Sequence, residues 1–309
     1  MLTVMLPVAG LEVNLLGVII LGAVVGILGG LLGVGGGFLI TPMLNVLFGI
    51  PYNIAVGSDL SQMVGMSSSA ATRHRKHGNL DILLGIIMIL SACIGVVGGV
   101  SVMEFLKNAG TFTIFDSEVP KMTLIMSIIY ISLLLFVGTS ILKESIRMIR
   151  SPLPNDTQVS LGTFAMKLHR IQLPPMISLP ASGVKQISLW ILCGIGITIG
   201  FFCSLMGVGG GFIMTPCMIY IIGVPTTVAI GTSLFQIVFI AAFGTLLHSI
   251  KGNVDPILVL GLLIGSTIGS QIGATLTKKL AGAKLRLMLG SLLFIAVLFV
   301  AKKLYALIT

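Results

Sequence analysis

The chain has 309 residues, of which 56% are apolar and 9% charged, and its net charge is +9. A soluble domain carries about a quarter charged residues, so the composition excludes a soluble enzyme, a disordered protein and a nucleic-acid binder. The lipid bilayer is the expected solvent, and the 18 Lys and Arg read as topology markers.

The segment MLTVMLPVAGLEVN lacks the basic n-region of a cleavable signal peptide, so the first helix is expected to act as its own insertion signal. Residues 13–58 carry no charge. At 1.5 Å per residue, that is room for two crossings of a core about 30 Å thick. We divide this interval into 13–32, 35–49 and the start of 54–72. Further apolar runs cover 82–104, 122–142, 187–206, 209–222, 227–248, 256–277 and 286–307. The runs are continuous rather than alternating, which argues for helices and against strands. The expected fold class is an all-α polytopic protein of the cell membrane. Residues 143–186 are polar and hold Pro152, Pro154, Pro174, Pro175 and Pro180, so they read as a cytoplasmic linker. The linker divides a first transmembrane repeat, 1–142, from a second, 187–309.

The halves repeat at an offset of 174 residues. GLLGVGGGFLITPMLNVLFGIP at 30–51 matches SLMGVGGGFIMTPCMIYIIGVP at 204–225. The register continues without a gap and pairs Gln62 with Gln236, His74 with His248, Asn79 with Asn253 and Asp81 with Asp255. Apolar composition alone does not align such residues. Repeated halves are a signature of secondary transporters, whose sites lie where the halves meet. Segments 35–49 and 209–222 are short and open on glycines. If they cross, 13 of the 18 Lys and Arg share one side and the second half is inverted. If they re-enter, 12 share a side and the halves are parallel. Both models put 73–79 and 143–186 in the cytoplasm and 105–121 outside. Charge bias does not choose between them, and inversion is the favoured reading because it gives alternating access a simple basis.

Three constellations are candidates for the site. Gly35, Gly36 and Gly37, like Gly209, Gly210 and Gly211, sit before a short apolar run with Thr41 or Thr215 one turn on. Such glycine density costs helix stability. A broken helix accounts for it, because its fresh N-terminus offers N–H groups to an anion. Close helix packing is the competing account. Next come Ser58 and Gln62, aligned with Thr232, Ser233 and Gln236, which offer hydroxyl and amide donors; inter-helix hydrogen bonding is their alternative role. Asp59 is the one acid well inside an apolar run. It reads as a protonation site for coupling or as a helix cap. The Asn-x-Asp pairs read as turn and cap chemistry. Arg73, His74, Arg75, Lys76 and His77 read as a positive-inside anchor. Cys93, Cys193, Cys203 and Cys217 lie in apolar stretches without CxxC or metal spacing, so neither a metal nor a cofactor is expected.

At the paired GVGGGF-x-x-TP motifs, each followed by GxP and A-[VI]-G-[ST]-x-L-x-Q, the chain resembles the TauE/SafE family of membrane permeases over essentially both halves. The resemblance implies a polytopic carrier of sulfite, organosulfonates or related small anions, often an exporter. The first half departs from the pattern at Asp59, where the second has Ser233. An anion also suits the residues, since hydroxyls and helix ends replace intramembrane Lys or Arg. No G-x-x-x-x-G-K-[ST], HExxH or GxSxG occurs, which argues against an ATPase or another enzyme. A passive anion channel is the remaining alternative. The expected partners are a small anion and the bilayer, without nucleic acid, and a homo-oligomer is left open.

Overall fold

The structure is a computed structural model that describes residues 3–32, 36–76, 80–114, 117–150, 173–276 and 282–308. Strands β1 (Thr3–Leu6) and β2 (Leu11–Asn14) lead into α1 (Leu15–Leu32). Helices α2 (Gly37–Phe48), α3 (Tyr52–Lys76) and α4 (Ile82–Lys107) follow. A second hairpin, β3 (Thr111–Ile114) and β4 (Ser117–Pro120), precedes α5 (Lys121–Arg150). A third, β5 (Met176–Leu179) and β6 (Val184–Ser188), leads into α6 (Leu189–Met206). Then come α7 (Gly211–Cys217), continued by a π-helical turn over Met218–Ile222, α8 (Thr226–Ile250), α9 (Pro256–Leu276) and α10 (Gly282–Ile308).

The protein is therefore mostly helical, with one correction to the all-α expectation. The connecting ends at 3–14, 111–120 and 176–188 pair as antiparallel hairpins, which satisfies backbone groups where no helix continues. The stretch expected as a linker is also ordered at both ends: α5 runs on to Arg150, and β5 begins at Met176. The prolines at 152 and 154 lie outside the described residues.

Helix ends follow local chemistry. Gly49 (φ 71°) closes α2, and its N–H bonds the Asn45 carbonyl; a left-handed stop costs glycine little. Asp81 caps α4 by accepting the Leu84 N–H at 3.0 Å, and Asp255 accepts the N–H groups of Ile257 and Leu258. Both Asn-x-Asp pairs thus contain the expected cap.

Five of the described helical stretches are long and apolar enough to cross a membrane: Ile82–Lys107, Lys121–Lys143, Leu189–Met206, Thr227–Ile250 and Pro256–Gly273. Polarity is arranged for lipid rather than water. Leu260, Ile264, Ile268 and Ile272 are exposed along α9, as are Leu16, Ile20 and Val24 on α1. Asp59, Gln62, Gln236 and His248 are instead fully buried.

Glycines set the closest packing. On α1 against α9, a methyl group at Gly26 would stand 2.5 Å from the Ser266 carbonyl, and one at Gly265 would overlap the Ile19 carbonyl. On α4 against α6, methyl groups at Gly95 and Gly200 would overlap the carbonyls of Ile197 and Ala92. These are small-xxx-small contacts, in which the missing side chain lets backbones touch.

The same contacts give helix directions. Gly265 meets Ile19 and Ala23, and Gly269 meets Ala23 and Ile27, so α1 and α9 run parallel. Gly196 meets Met88 and Ser91, and Gly99 meets Phe201 and Leu205, so α4 and α6 also run parallel. Gly57 lies against His248 and Leu60 against Gly244, so α3 and α8 are antiparallel. Gly138 against Leu293, with Gly290 against Leu142, makes α5 and α10 antiparallel. Within the first half α2 folds back along α1, with Gly36 at Val25 and Phe48 at Gly17. Lys107 Nζ donates to the carbonyl of Lys251 and to Asn253 Oδ1, so these two loops share one end of the bundle.

Candidate anion site between two broken helices

Two helix breaks form the frame. Helix α6 stops at Met206, and Gly207, Gly209 and Gly210 take φ of 68°, 67° and 74° before α7 begins at Gly211. Gly36, with φ 73°, plays the same part before α2. Side-chain-bearing residues adopt this backbone only under strain. Gly35 lies outside the described residues, as do Gly33 and Val34.

The breaks meet at the centre. A methyl group at Gly37 would stand 2.5 Å from the Gly207 carbonyl, and one at Gly207 would stand 2.6 Å from Thr41 Oγ1. Met63 of α3 fills the space between Gly37 and Gly209, whose added methyl groups would both overlap its thioether end. Gly36 and Gly210 point elsewhere, towards Val25 and Ile199. The Tyr130 hydroxyl on α5 donates to the carbonyl of Met206, the last residue of α6.

Beside the first break, Thr41 Oγ1 donates to Asp59 Oδ2 at 2.8 Å and Gln62 Nε2 donates to Asp59 Oδ1 at 2.9 Å. Ser266 Oγ donates to Gln62 Oε1 at 2.7 Å, which carries the chain of bonds from α2 through α3 to α9. All four side chains are fully buried. Each carboxyl oxygen thus accepts from one side-chain donor, so neither is left buried without a hydrogen bond.

The second half repeats the frame with weaker bonding. Thr215 Oγ1 donates to Ser233 Oγ at 3.0 Å, and Ser233 Oγ passes its own proton to the Ile230 carbonyl at 2.9 Å. Gln236 Nε2 reaches the Leu84 carbonyl only at 3.5 Å, and its buried Oε1 has no partner among the described residues. Gln236 is therefore under-satisfied where Gln62 has both its nitrogen and its oxygen engaged.

Ser58 and Thr232 stand at a different kind of joint. Ser58 Oγ accepts the Asp255 N–H at 3.0 Å, and Thr232 Oγ1 accepts the Asp81 N–H at 2.9 Å, so each half clamps a helix start of the other. Asp255 Oδ2 further accepts the Val8 N–H, and Asp81 Oδ2 accepts the Ser182 hydroxyl. The hairpins before α1 and α6 are tied down this way. Sequence reading passed over Met63, Tyr130 and Ser266. Met63 counted as one of sixteen methionines, and Ser266 lies 204 residues from Gln62.

This arrangement can be set beside known proteins. A family model described as "Sulfite exporter TauE/SafE" matches residues 18–300. The chain belongs to the TauE/SafE family. Among its TauE/SafE-type relatives, the "Probable membrane transporter protein YunE" of Bacillus subtilis (strain 168) is 24% identical, over 85% of this chain and 88% of its own length. YjnA of the same strain is 28% identical over 90% of this chain and 96% of its own. MJ0441 of Methanocaldococcus jannaschii is 28% identical over 65% and 60%. Both are also named probable membrane transporter proteins. No solved structure matches. This TauE/SafE protein is a multi-pass membrane transporter, and membership of that family implies transport rather than catalysis.

Proposed function

We propose that this TauE/SafE transporter moves a small sulfur-containing anion, such as sulfite or an organosulfonate, by proton-coupled alternating access between two inverted repeats. The family's description as a sulfite exporter supports the substrate class. The observation that carries the reading is the pair of broken helices meeting at Gly37 and Gly207, flanked by Thr41–Asp59–Gln62 on one side and Thr215–Ser233–Gln236 on the other. Helix starts at Gly36–Gly37 and Gly210–Gly211 supply N–H donors, and hydroxyls and amides supply the rest.

Inversion draws its support from direction. Helices α1, α2 and α3 recur with equal bounds 174 residues on, counting the π turn with α7. Yet α3 and its counterpart α8 run antiparallel. A parallel repeat would align α3 with α8. Lys107 beside Lys251 also fits the model in which both short segments carry the chain onward. On this reading 1–142 and 187–309 are the two repeats, and 143–186 joins them on the cytoplasmic side.

Purified protein in liposomes tests the function with a panel of sulfite, methanesulfonate, sulfate and acetate. The expected result is saturable sulfite or sulfonate flux that accumulates under a pH gradient. Flux that does not saturate, or that prefers acetate, would overturn the reading.

A further inference from the structure

When ionised, Asp59 is itself an anion, and its two oxygens already hold donors assigned to the substrate. We infer that the Asp59 carboxylate is a built-in competitor for Thr41 Oγ1–H and Gln62 Nε2–H, so that the substrate anion and a proton enter the site together and travel in the same direction. This rests on the anion-carrier reading above and adds the sense of the coupling.

Donor count and charge both set Asp59 against an incoming anion. Thr41 has a single O–H, and it lies on Asp59 Oδ2 at 2.8 Å. Gln62 spends one of its two amide N–H groups on Asp59 Oδ1 at 2.9 Å, while its own carbonyl accepts from Ser266. An oxyanion arriving at the first break needs these donors and would meet a second negative charge in a buried, low-dielectric place. Protonation removes both obstacles. A proton from the aqueous phase forms an O–H bond on one Asp59 oxygen, and the carboxyl then becomes a donor beside Thr41 and Gln62. When the anion leaves, the proton leaves with it and the original pair of bonds re-forms. In the second half Ser233 stands where the first has the acid, and Gln236 Oε1 has no partner among the described residues.

The groups facing Asp59 do not supply an alternative counter-charge. Among the described residues, Tyr130 on α5 and Cys203 on α6 are within electrostatic reach. His248 on α8 lies against Gly57, and Asp255 before α9 meets Ser58. Neither Lys nor Arg is among them.

Calorimetry of the purified protein with sulfite and with methanesulfonate, in buffers of differing protonation enthalpy, reads the proton directly. Methanesulfonate stays ionised throughout, and sulfite's own proton cancels between wild type and variant. Wild type takes up about one proton per anion bound, and above the titration of Asp59 its affinity falls about tenfold per pH unit. Asp59→Ser, which installs the residue of the second half, and Asp59→Asn both bind without proton uptake and with a flat pH profile. Wild-type binding with no proton uptake, or with proton release, overturns the inference while leaving the anion site standing. Uptake that persists in folded Asp59→Ser overturns it as well. If folded wild type binds neither anion at any pH, the functional reading itself falls, and this inference with it.

Discussion

The difference between Asp59 and Ser233 sets how tightly each half holds its threonine. Thr41 bonds a buried carboxyl group that, among the described residues, has one other side-chain donor, Gln62. Thr215 bonds a hydroxyl that is also anchored to the Ile230 carbonyl. A hydrogen bond to a charged group contributes about 1.5–3 kcal/mol, and a neutral one about 0.5–1.5. At a pH where Asp59 is ionised, Thr41→Val should therefore lose more stability than Thr215→Val in denaturant unfolding of the detergent-solubilised protein. Equal losses would contradict an ionised Asp59 as the hub. Much of this cluster was legible in the sequence, because an acid in an apolar run stands out and the repeat marks Thr41 and Gln62. The roles of Ser58 and Thr232 were not. Ser58 meets its partner 197 residues away, and only the fold brings Asp255 to it. Met63 was illegible for a related reason, since nothing local distinguishes a methionine between two glycine breaks from one facing lipid.

At the scale of elements, the helices were readable because charge and glycine mark their ends. The apolar run read as 209–222 became α7 with its π turn, 211–222, and 256–277 became α9, Pro256–Leu276. The hairpins were not readable, since strands of four or five residues are too short for a period to emerge beside long apolar runs. Nor did the sequence reveal that α1 packs most closely along α9 of the other half. That pairing depends on glycines at positions such as 22, 26, 265 and 269, where backbone meets backbone. A side chain at Gly265 overlaps the Ile19 carbonyl, whereas Gly194 has nothing within 4 Å. Gly265→Val should thus force α1 and α9 apart, costing about 1–3 kcal/mol or more as overpacking. Gly194→Ala should be neutral or stabilising by about 0.5–1 kcal/mol through helix propensity. Folded yield and thermal unfolding in detergent compare the two; a Gly265→Val protein as stable as wild type would remove the close-packing account.

For the whole molecule, the proposed architecture has two halves of opposite direction enclosing one site. Each half opens with a hairpin tied to the other half's capping aspartate, Val8 to Asp255 and Ser182 to Asp81, the same aspartate that its own Ser58 or Thr232 clamps. In an inverted pair, repeat-related hairpins lie at opposite faces of the membrane. In a parallel pair they share a face. Position 7, in the β1–β2 turn, and position 181, between β5 and β6, are 174 residues apart and both exposed. The most direct test is sidedness: Pro7→Cys and Ala181→Cys, each in a background lacking Cys93, Cys193, Cys203 and Cys217, labelled in intact cells with an impermeant maleimide. The Lys and Arg asymmetry sets the orientation, so position 7 should label from outside and position 181 only after the cells are opened. Labelling of both positions from the same side would contradict the inverted architecture and the alternating-access mechanism built on it.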